Sequence, residues 1–308
     1  MTNIGLSPSR ARIGSYRQQV VDIGVHPDKW VSDIPDVVDD IPVQISFEYP
    51  AVFQTHNGGC KGTQNFDPVP GGVKIKAGHG SEGSCACTHL EMGSTSKWYM
   101  MTAAHVTDYP YNYGCDPGKN VRVDQNGQRI GEVVKGDWSD DWALFEVGSN
   151  SQVSGFEDQV WFDEDGGGQY RTMWSHYTRD GLQELSTSTL VSKQGWASGF
   201  TMGTKHKNEV AMQYSRETFY NGCDIITSGN GVDYGFVTNG VSANGDSGGA
   251  TFTEHDGGTY IDYIGHHVAG YDGTAEDTRS FCENKEATAY NVVTPAWYLE
   301  QYHNIVPF

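Results

Sequence analysis

Three short segments carry residue types that can perform nucleophilic chemistry together. Met101-Thr102-Ala103-Ala104-His105-Val106 delivers a histidine at the end of an apolar run, after small residues that allow close backbone approach around an imidazole. Asp140-Asp141-Trp142-Ala143-Leu144-Phe145 opens a strongly apolar run with a carboxylate. Asn244-Gly245-Asp246-Ser247-Gly248-Gly249 sets a serine among glycines, which permit unusual dihedrals and leave the hydroxyl accessible. Each segment alone has an ordinary explanation: a histidine at a strand end, an aspartate in a turn, a glycine-rich loop. Together they hold what acyl transfer through a covalent intermediate requires. Serine is a weak nucleophile until a base takes its proton. Imidazole suits that role near neutral pH, and a buried carboxylate fixes its tautomer and stabilises the imidazolium. His105 is the candidate base and Ser247 the candidate nucleophile. Asp141 is the candidate orienting carboxylate, with Asp140 its rival, and the amides of Gly245 and Ser247 are the candidate oxyanion donors.

Short strands must present these residues. From Gly72 onward the chain is a series of β-prone runs cut by Gly, Asn and Asp: Gly72–Ala77, Lys97–Met101, Asn120–Val123, Trp142–Val147, Gly235–Val237 and Tyr260–Val268. Such spacing predicts an all-β barrel or sandwich. Val293–Gln301 reads as a late helix, with Thr294-Pro295 as N-cap and first-turn proline. Thr55–Gly72, rich in Gly, Asn and Pro, reads as a linker. Before it, Ser15–Ile23 fits a strand or short helix, Pro27–Val31 a helix start, and Val43–Phe47 alternates like a strand.

Composition excludes several classes. The 308 residues allow one large domain or two modest ones. Hydrophobic residues at 37% and aromatics at 12% exclude a wholly disordered chain. No run approaches the ~20 apolar residues of a membrane-spanning helix, and Met1–Val20 lacks the apolar stretch of a standard signal peptide. The formal net charge of −19 argues against nucleic acid and anionic membranes as partners. That charge comes from scarce Lys and Arg (20) more than from abundant Asp and Glu (39), so adaptation to high salt and an ordinary acidic secreted protein both fit. The six cysteines, at 60, 85, 87, 115, 223 and 282, allow 15 complete pairings and fit an extracellular or cell-envelope location.

At this point the chain resembles the chymotrypsin-like (trypsin-fold) serine proteases of bacterial and archaeal type. His105 sits in Thr-Ala-Ala-His, Asp141 in Asp-x-Ala-Leu, and Ser247 in Gly-Asp-Ser-Gly-Gly, in the family's chain order. The Asp-x-Ala-Leu register favours Asp141 over Asp140. Pro68–Ile75 is similar to the opening of the protease domain in these proteins, and Lys193–Gly203 to their Lys-x-Gly-x-x-Ser/Thr-Gly-x-Thr-x-Gly hairpin, whose glycines fit a tight turn and a bulge. The resemblance implies two six-stranded antiparallel β-barrels with a C-terminal helix, a protease domain over residues 68–308, and a small N-terminal extension or pro-region over 1–67. It implies an endopeptidase acting on polypeptides and needing neither cofactor nor metal; a monomer is the expectation, although the sequence does not set the oligomeric state. It assigns Asp246 to supporting the active backbone arrangement. The alternatives are a catalytically silent peptide-binding protein on the same fold, or an esterase using the same triad.

The resemblance also places substrate-binding residues. Val241, six before the nucleophile, falls at the base of the specificity pocket, with Ser242 and Asn244 on the same wall. The strand containing His267, Val268, Ala269 and Gly270 forms the opposite wall and pairs with substrate backbone. Val241 argues against Lys or Arg selection and for an apolar pocket. His267 with Ser242 instead resembles the carboxylate-binding pair of glutamyl endopeptidases. The sequence departs from the animal pattern in having Val106 where a cysteine commonly follows the histidine, and no Ile/Val-Val-Gly-Gly start. Cys85 or Cys87 with Cys115, and Cys223 with Cys282, are the pairings that would brace the active-site loops. Cys85, Cys87, His89 and His79 are the alternative metal ligands.

Overall fold

The computed structural model describes residues 4–7, 20–25, 37–38, 41–47, 60–91, 97–107, 119–162, 168–211, 213–215, 224–271, 282 and 287–307. The chain divides into two compact units, Met1–Pro50 and Ala51–Phe308. In the first, strands Ile4–Ser7, Val20–Val25, Val37–Val38 and Ile41–Phe47 form one sheet. Val20–Val25 runs parallel to Ile41–Phe47, the strand expected at Val43–Phe47. The helix start expected at Pro27–Val31 lies outside the described residues.

The larger unit is all-β with a C-terminal helix, but it is not a pair of six-stranded antiparallel barrels. Among the described residues one sheet has eight strands. It runs from Ile305–Pro307 through Thr88–Glu91, Trp98–Thr102, Trp142–Glu146, Gln128–Asp137, Arg122–Gln125 and Lys74–Ala77 to Glu82–Ser84, without closing. The other has nine. Its order is Ala250–His255, Leu190–Gly195, Gly199–Val210, Gly235–Thr238, Tyr290–Pro295, Tyr260–Tyr271, Gln169–His176, Phe156–Phe162 and Val69–Gly71. A further pairing joins Ala250–His255 to Tyr260–Tyr271. Two of its pairings are parallel, Phe156–Phe162 with Val69–Gly71 and Gln169–His176 with Tyr260–Tyr271. The expected architecture fails because Ile305–Pro307 extends the eight-stranded sheet and Val69–Gly71 the nine-stranded one, long-range pairings that local pattern does not encode.

Side-chain alternation explains the most apolar runs. In Trp98–Thr102, Tyr99 and Met101 enter one hydrophobic core while Met100 enters another; in Trp142–Glu146, Trp142 and Leu144 enter the first, Ala143 and Phe145 the second. These strands are buried on both faces, so they read as continuous hydrophobic runs. They end at Thr102 and just before Trp142, which places His105 and Asp141 at the same rim. The two strands pair antiparallel, Ala143 opposite Thr102.

Three further expectations need correction. The C-terminal helix spans Ala296–His303, not Val293–Gln301: Val293, Thr294 and Pro295 continue the strand Tyr290–Pro295, and Thr294 donates to the Asp140 carbonyl (3.1 Å) instead of capping. The Leu190–Gly195/Gly199–Val210 hairpin forms, but its register is unbroken and has no bulge. Cys282 is bonded to Cys60, not Cys223, and Cys85 and Cys87 are free buried thiols, so neither pairs with Cys115. Cys85 lies in one core and Cys87 in the other. Cys115 and Cys223 lie outside the described residues. Among the described residues, no helix is long and apolar enough to cross a membrane.

Candidate active site

His105 lies on the single-turn helix Ala104–Thr107, directly after the strand Trp98–Thr102. Ala103 and Ala104 are fully buried, and their small side chains let this turn press into the core. Both donors of His105 meet one carboxylate: its amide donates to Asp141 Oδ1 (2.9 Å) and its Nδ1 to Asp141 Oδ2 (2.7 Å). A carboxylate only accepts, so Nδ1 carries the proton, and in the neutral ring Nε2 is then the nitrogen that holds the lone pair. The Asp141 side chain is 0% exposed and that of His105 16%, which suits a fixed orienting group beside an accessible base.

Asp141 holds an unusual backbone. Its φ is 54°, in the left-handed region that costs a non-glycine residue about 1 kcal/mol. The turn is held from both sides: the Asp141 amide donates to the Trp138 carbonyl (3.1 Å), and its own carbonyl accepts from His266 Nε2 (2.9 Å). Asp140 is engaged elsewhere. It accepts from Tyr234 Oη (2.6 Å), His303 Nε2 (2.7 Å) and, at 3.4 Å, Tyr298 Oη. One aspartate therefore faces the histidine base, and its neighbour pins the C-terminal helix.

The serine segment is built around Asp246. Its buried carboxylate accepts from Lys193 Nζ (2.5 Å), the Ala243 amide (2.9 Å), and the Ala197 and Ser198 amides (3.0 and 2.9 Å). Burial alone would raise its pKa, but the Lys193 ammonium and these donors outweigh burial and hold it below the usual carboxylate value. Burial lowers the Lys193 ammonium, which the same pair opposes. Gly248, at φ 88°, has no room for a side chain: a Cβ would overlap the Ser84 carbonyl and Thr102 hydroxyl and come within 2.9 Å of the Ala103 amide. The Ser247 carbonyl accepts from the Ser84 amide (2.8 Å). These contacts clamp the serine segment against the segment that carries His105. The amides of Asp246, Gly248 and Gly249 donate to the carbonyls of Ala243, His267 and Asp246. Among the described residues, no hydrogen bond engages the amides of Gly245 and Ser247, or the half-buried Ser247 hydroxyl.

The expected substrate-binding residues fall in different settings. Val241 and Ala243 pack with Trp196, Ala197 and Cys282. Ser242 bonds through its hydroxyl to Thr288 Oγ1 (2.7 Å), and Asn244 is exposed. His267 is buried, and its backbone exchanges bonds with the serine loop, accepting from Gly248 (2.7 Å) and donating to Gly249 (2.8 Å). Burial drives its imidazole down to about 3, so it stays neutral near pH 7. Val268 packs with Val210, Val237 and Val292, while Ala269 and Gly270 are half-buried. Sequence reasoning missed Lys193 as the partner of Asp246, Ser84 as the brace of the serine loop, His266 as the donor to Asp141, and Thr288. Only Lys193 left a signal, as a lysine opening the glycine-patterned hairpin.

No family model and no curated protein matches this chain. Solved structures do. A protease from Nocardiopsis aligns over 78% of this chain and 98% of its own, at 16% identity and TM-score 0.52. Protease A from Thermobifida fusca aligns over 79% and 100%, at 17% identity and TM-score 0.52. A glutamic-acid-specific serine protease, described as using a histidine triad in substrate binding, aligns over 78% and 100%, at 19% identity and TM-score 0.51. At these identities the likeness establishes architecture, and the chain has the fold of the chymotrypsin-like serine proteases.

Proposed function

We propose that this protein is a serine endopeptidase. The observation that carries the proposal is the pair of hydrogen bonds that His105 donates to Asp141, which turns Nε2 toward the role of general base at the rim where the Ser247 loop is clamped. Ser247 attacks the scissile carbonyl as His105 Nε2 takes its proton. The tetrahedral oxyanion accepts from the Gly245 and Ser247 amides, and a donor of this kind contributes about 3 kcal/mol to the transition state. His105 then protonates the leaving amine, and water repeats the cycle on the acyl-enzyme. Asp141 holds the tautomer and stabilises the imidazolium. No step draws on a cofactor or metal.

Substrate lies between the wall Val241, Ser242 and Asn244 and the strand His267, Val268, Ala269 and Gly270. The protease domain comprises residues 68–308. Residues 1–67 form an extension whose last part is tied to that domain by the Cys60–Cys282 disulfide and by a hydrogen bond from the Lys61 amide to the Trp196 carbonyl (3.2 Å). The disulfide supports a location outside the cell or in its envelope.

A fluorophosphonate probe with mass mapping of the adduct tests the assignment. Labelling at Ser247, lost together with peptide hydrolysis in Ser247→Ala, supports it. Labelling without hydrolysis of any peptide, but with ester turnover, identifies an esterase; absence of labelling identifies a silent binding protein.

A further inference from the structure

His266 is a buried histidine that takes no chemical step in the reaction above. It is 0% exposed and lies in the strand Tyr260–Tyr271, opposite Ala250 on one side and Thr294 on the other. Pairing on both sides gives its side chain a fixed origin. Its ring reaches across to the eight-stranded sheet, where Asp141 precedes the strand Trp142–Glu146, and Nε2 donates to the Asp141 carbonyl at 2.9 Å. A carbonyl only accepts, so Nε2 carries the proton. Nδ1 has no hydrogen-bond partner among the described residues. Burial holds the ring's pKa below the usual histidine value, so it is a neutral donor near pH 7. The ring's hydrogen bonding thus goes to one carbonyl, that of the orienting carboxylate's own residue.

The Asp141 turn has need of that donor. Its φ of 54° is strained for an aspartate. Among the described residues, the Asp141 carboxylate accepts from the amide and Nδ1 of His105 and from no other group. No further donor aims it, so its direction follows the backbone. The peptide before Asp141 is held at two points: the Asp141 amide donates to the Trp138 carbonyl (3.1 Å), and the Asp140 carbonyl accepts from Thr294 Oγ1 (3.1 Å). The peptide after it carries the carbonyl that His266 holds. Without that donor this peptide is free to rotate, the left-handed backbone relaxes, and the carboxylate swings off His105. The next residue of the same strand, His267, exchanges backbone bonds with Gly248 and Gly249 of the serine loop. Two successive residues of one strand therefore fix the turn that carries Asp141 and the loop that carries Ser247. We propose that His266 is a positioning residue for catalysis, its bond to the Asp141 carbonyl keeping the carboxylate aimed at His105. The inference rests on the endopeptidase reading above.

The test compares wild-type protein with His266→Leu, His266→Gln and Thr294→Val. Three quantities are measured: the rate of Ser247 phosphonylation, kcat and KM on a peptide anilide that the wild-type protein cleaves, and the far-downfield proton resonance of the His105 Nδ1–H bond to Asp141. His266→Leu is expected to slow phosphonylation and lower kcat by about 10–10²-fold, the scale of a misplaced catalytic group. KM should change by less than about threefold, and the resonance should weaken or move upfield. His266→Gln offers an N–H at a similar reach and should recover the resonance and most of the rate. Thr294→Val removes an equally buried donor from the neighbouring carbonyl, where the Trp138 bond remains, so it should melt earlier yet react within about threefold of wild type. Should His266→Leu fail to fold, His266→Asn, whose amide is too short to reach the carbonyl, takes its place. A folded leucine or asparagine variant with wild-type rate and resonance overturns the proposal. So does a glutamine variant as slow as the leucine one, or Thr294→Val slowed as much as His266→Leu. Failure of phosphonylation in the wild-type protein sinks the endopeptidase reading instead, and the resonance in the variants still decides whether His266 aims Asp141.

Discussion

Replacing Lys193 by methionine tests how the serine loop is held. Lys193 is 1% exposed and Asp246 0%. The carboxylate has four donors, one of them charged. Lys193→Met leaves a buried negative charge facing three neutral amides. Breaking a buried pair from one side costs about 3–5 kcal/mol, and the surviving amides put this site at the low end, about 3 kcal/mol. At about 2–4 °C per kcal/mol for a domain of this size, the melting temperature should fall by roughly 6–12 °C. The pH dependence gives a second signature. In the wild-type protein the folded pKa of Asp246 lies below its unfolded value. Its contribution is therefore present above the ordinary carboxylate pKa and lost as pH falls through the depressed one. In the variant burial acts without the ammonium, the folded pKa rises above the unfolded one, and protonation relieves the buried charge. The gap in melting temperature between the two proteins must therefore shrink from pH 7 toward pH 4. Phosphonylation of Ser247 should slow by about 10²–10³-fold if the Gly245 and Ser247 amides lose their alignment. The double variant Lys193→Met/Asp246→Asn removes the stranded charge and should recover part of the stability. A fall of less than about 2 °C with unchanged labelling, a gap that widens in acid, or a double variant no better than the single would refute this account.

Asp140→Ala should destabilise the fold by about 2–4 kcal/mol, because it strands the Tyr234 hydroxyl and the His303 imidazole; urea titration reads this, and phosphonylation of the folded fraction at the wild-type rate checks that Asp140 is not the orienting carboxylate. Cys85 and Cys87 should resist maleimide in the native state, since burial pushes the Cys85 thiol up to about 12 and Cys87 higher still; rapid native labelling would contradict their placement. Reduction of Cys60–Cys282, whose partners are 222 residues apart, should cost up to about 5 kcal/mol by the chain-entropy estimate, seen as a lower urea midpoint. His89 and His267, held by burial at about 3, should stay neutral when folded and take up protons when unfolded. Stability should therefore fall as pH drops from about 6.5 toward 3, and the fall should be shallower in His89→Gln.

The candidate chemistry was legible because its residues sit in short motifs whose spacing is local: Thr-Ala-Ala-His, Asp-x-Ala-Leu and Gly-Asp-Ser-Gly-Gly. The strands that carry them were legible for the same reason, to within a few residues at each end. What failed depends on partners far along the chain. Cys282 had several possible mates, and only the folded chain brings Cys60 to it. Val293–Pro295 has a helix-start pattern, yet pairing with Gly235–Thr238 and Tyr260–Tyr271 draws it into the sheet. Val241 and Ser242 are adjacent in sequence, and which of them faces Gly270 is decided by the Ala287–Thr288 strand, 46 residues from Ser242. Asp246 was expected to support the serine loop and Lys193 to open a hairpin, but nothing local pairs them; their meeting across 53 residues makes them an anchor.

The Cys60–Cys282 bond has a consequence if the protein is the endopeptidase proposed above and works in the company of its own copies. It closes a covalent ring around His105, Asp141 and Ser247. A single cut at any point between the two cysteines opens the ring without parting the molecule. The severed pieces stay tethered at high effective concentration, so a nicked chain can keep its two sheets docked. On a gel it would run as one species until reductant is added, then as two. Self-digestion thus begins as wear on a molecule that is still whole.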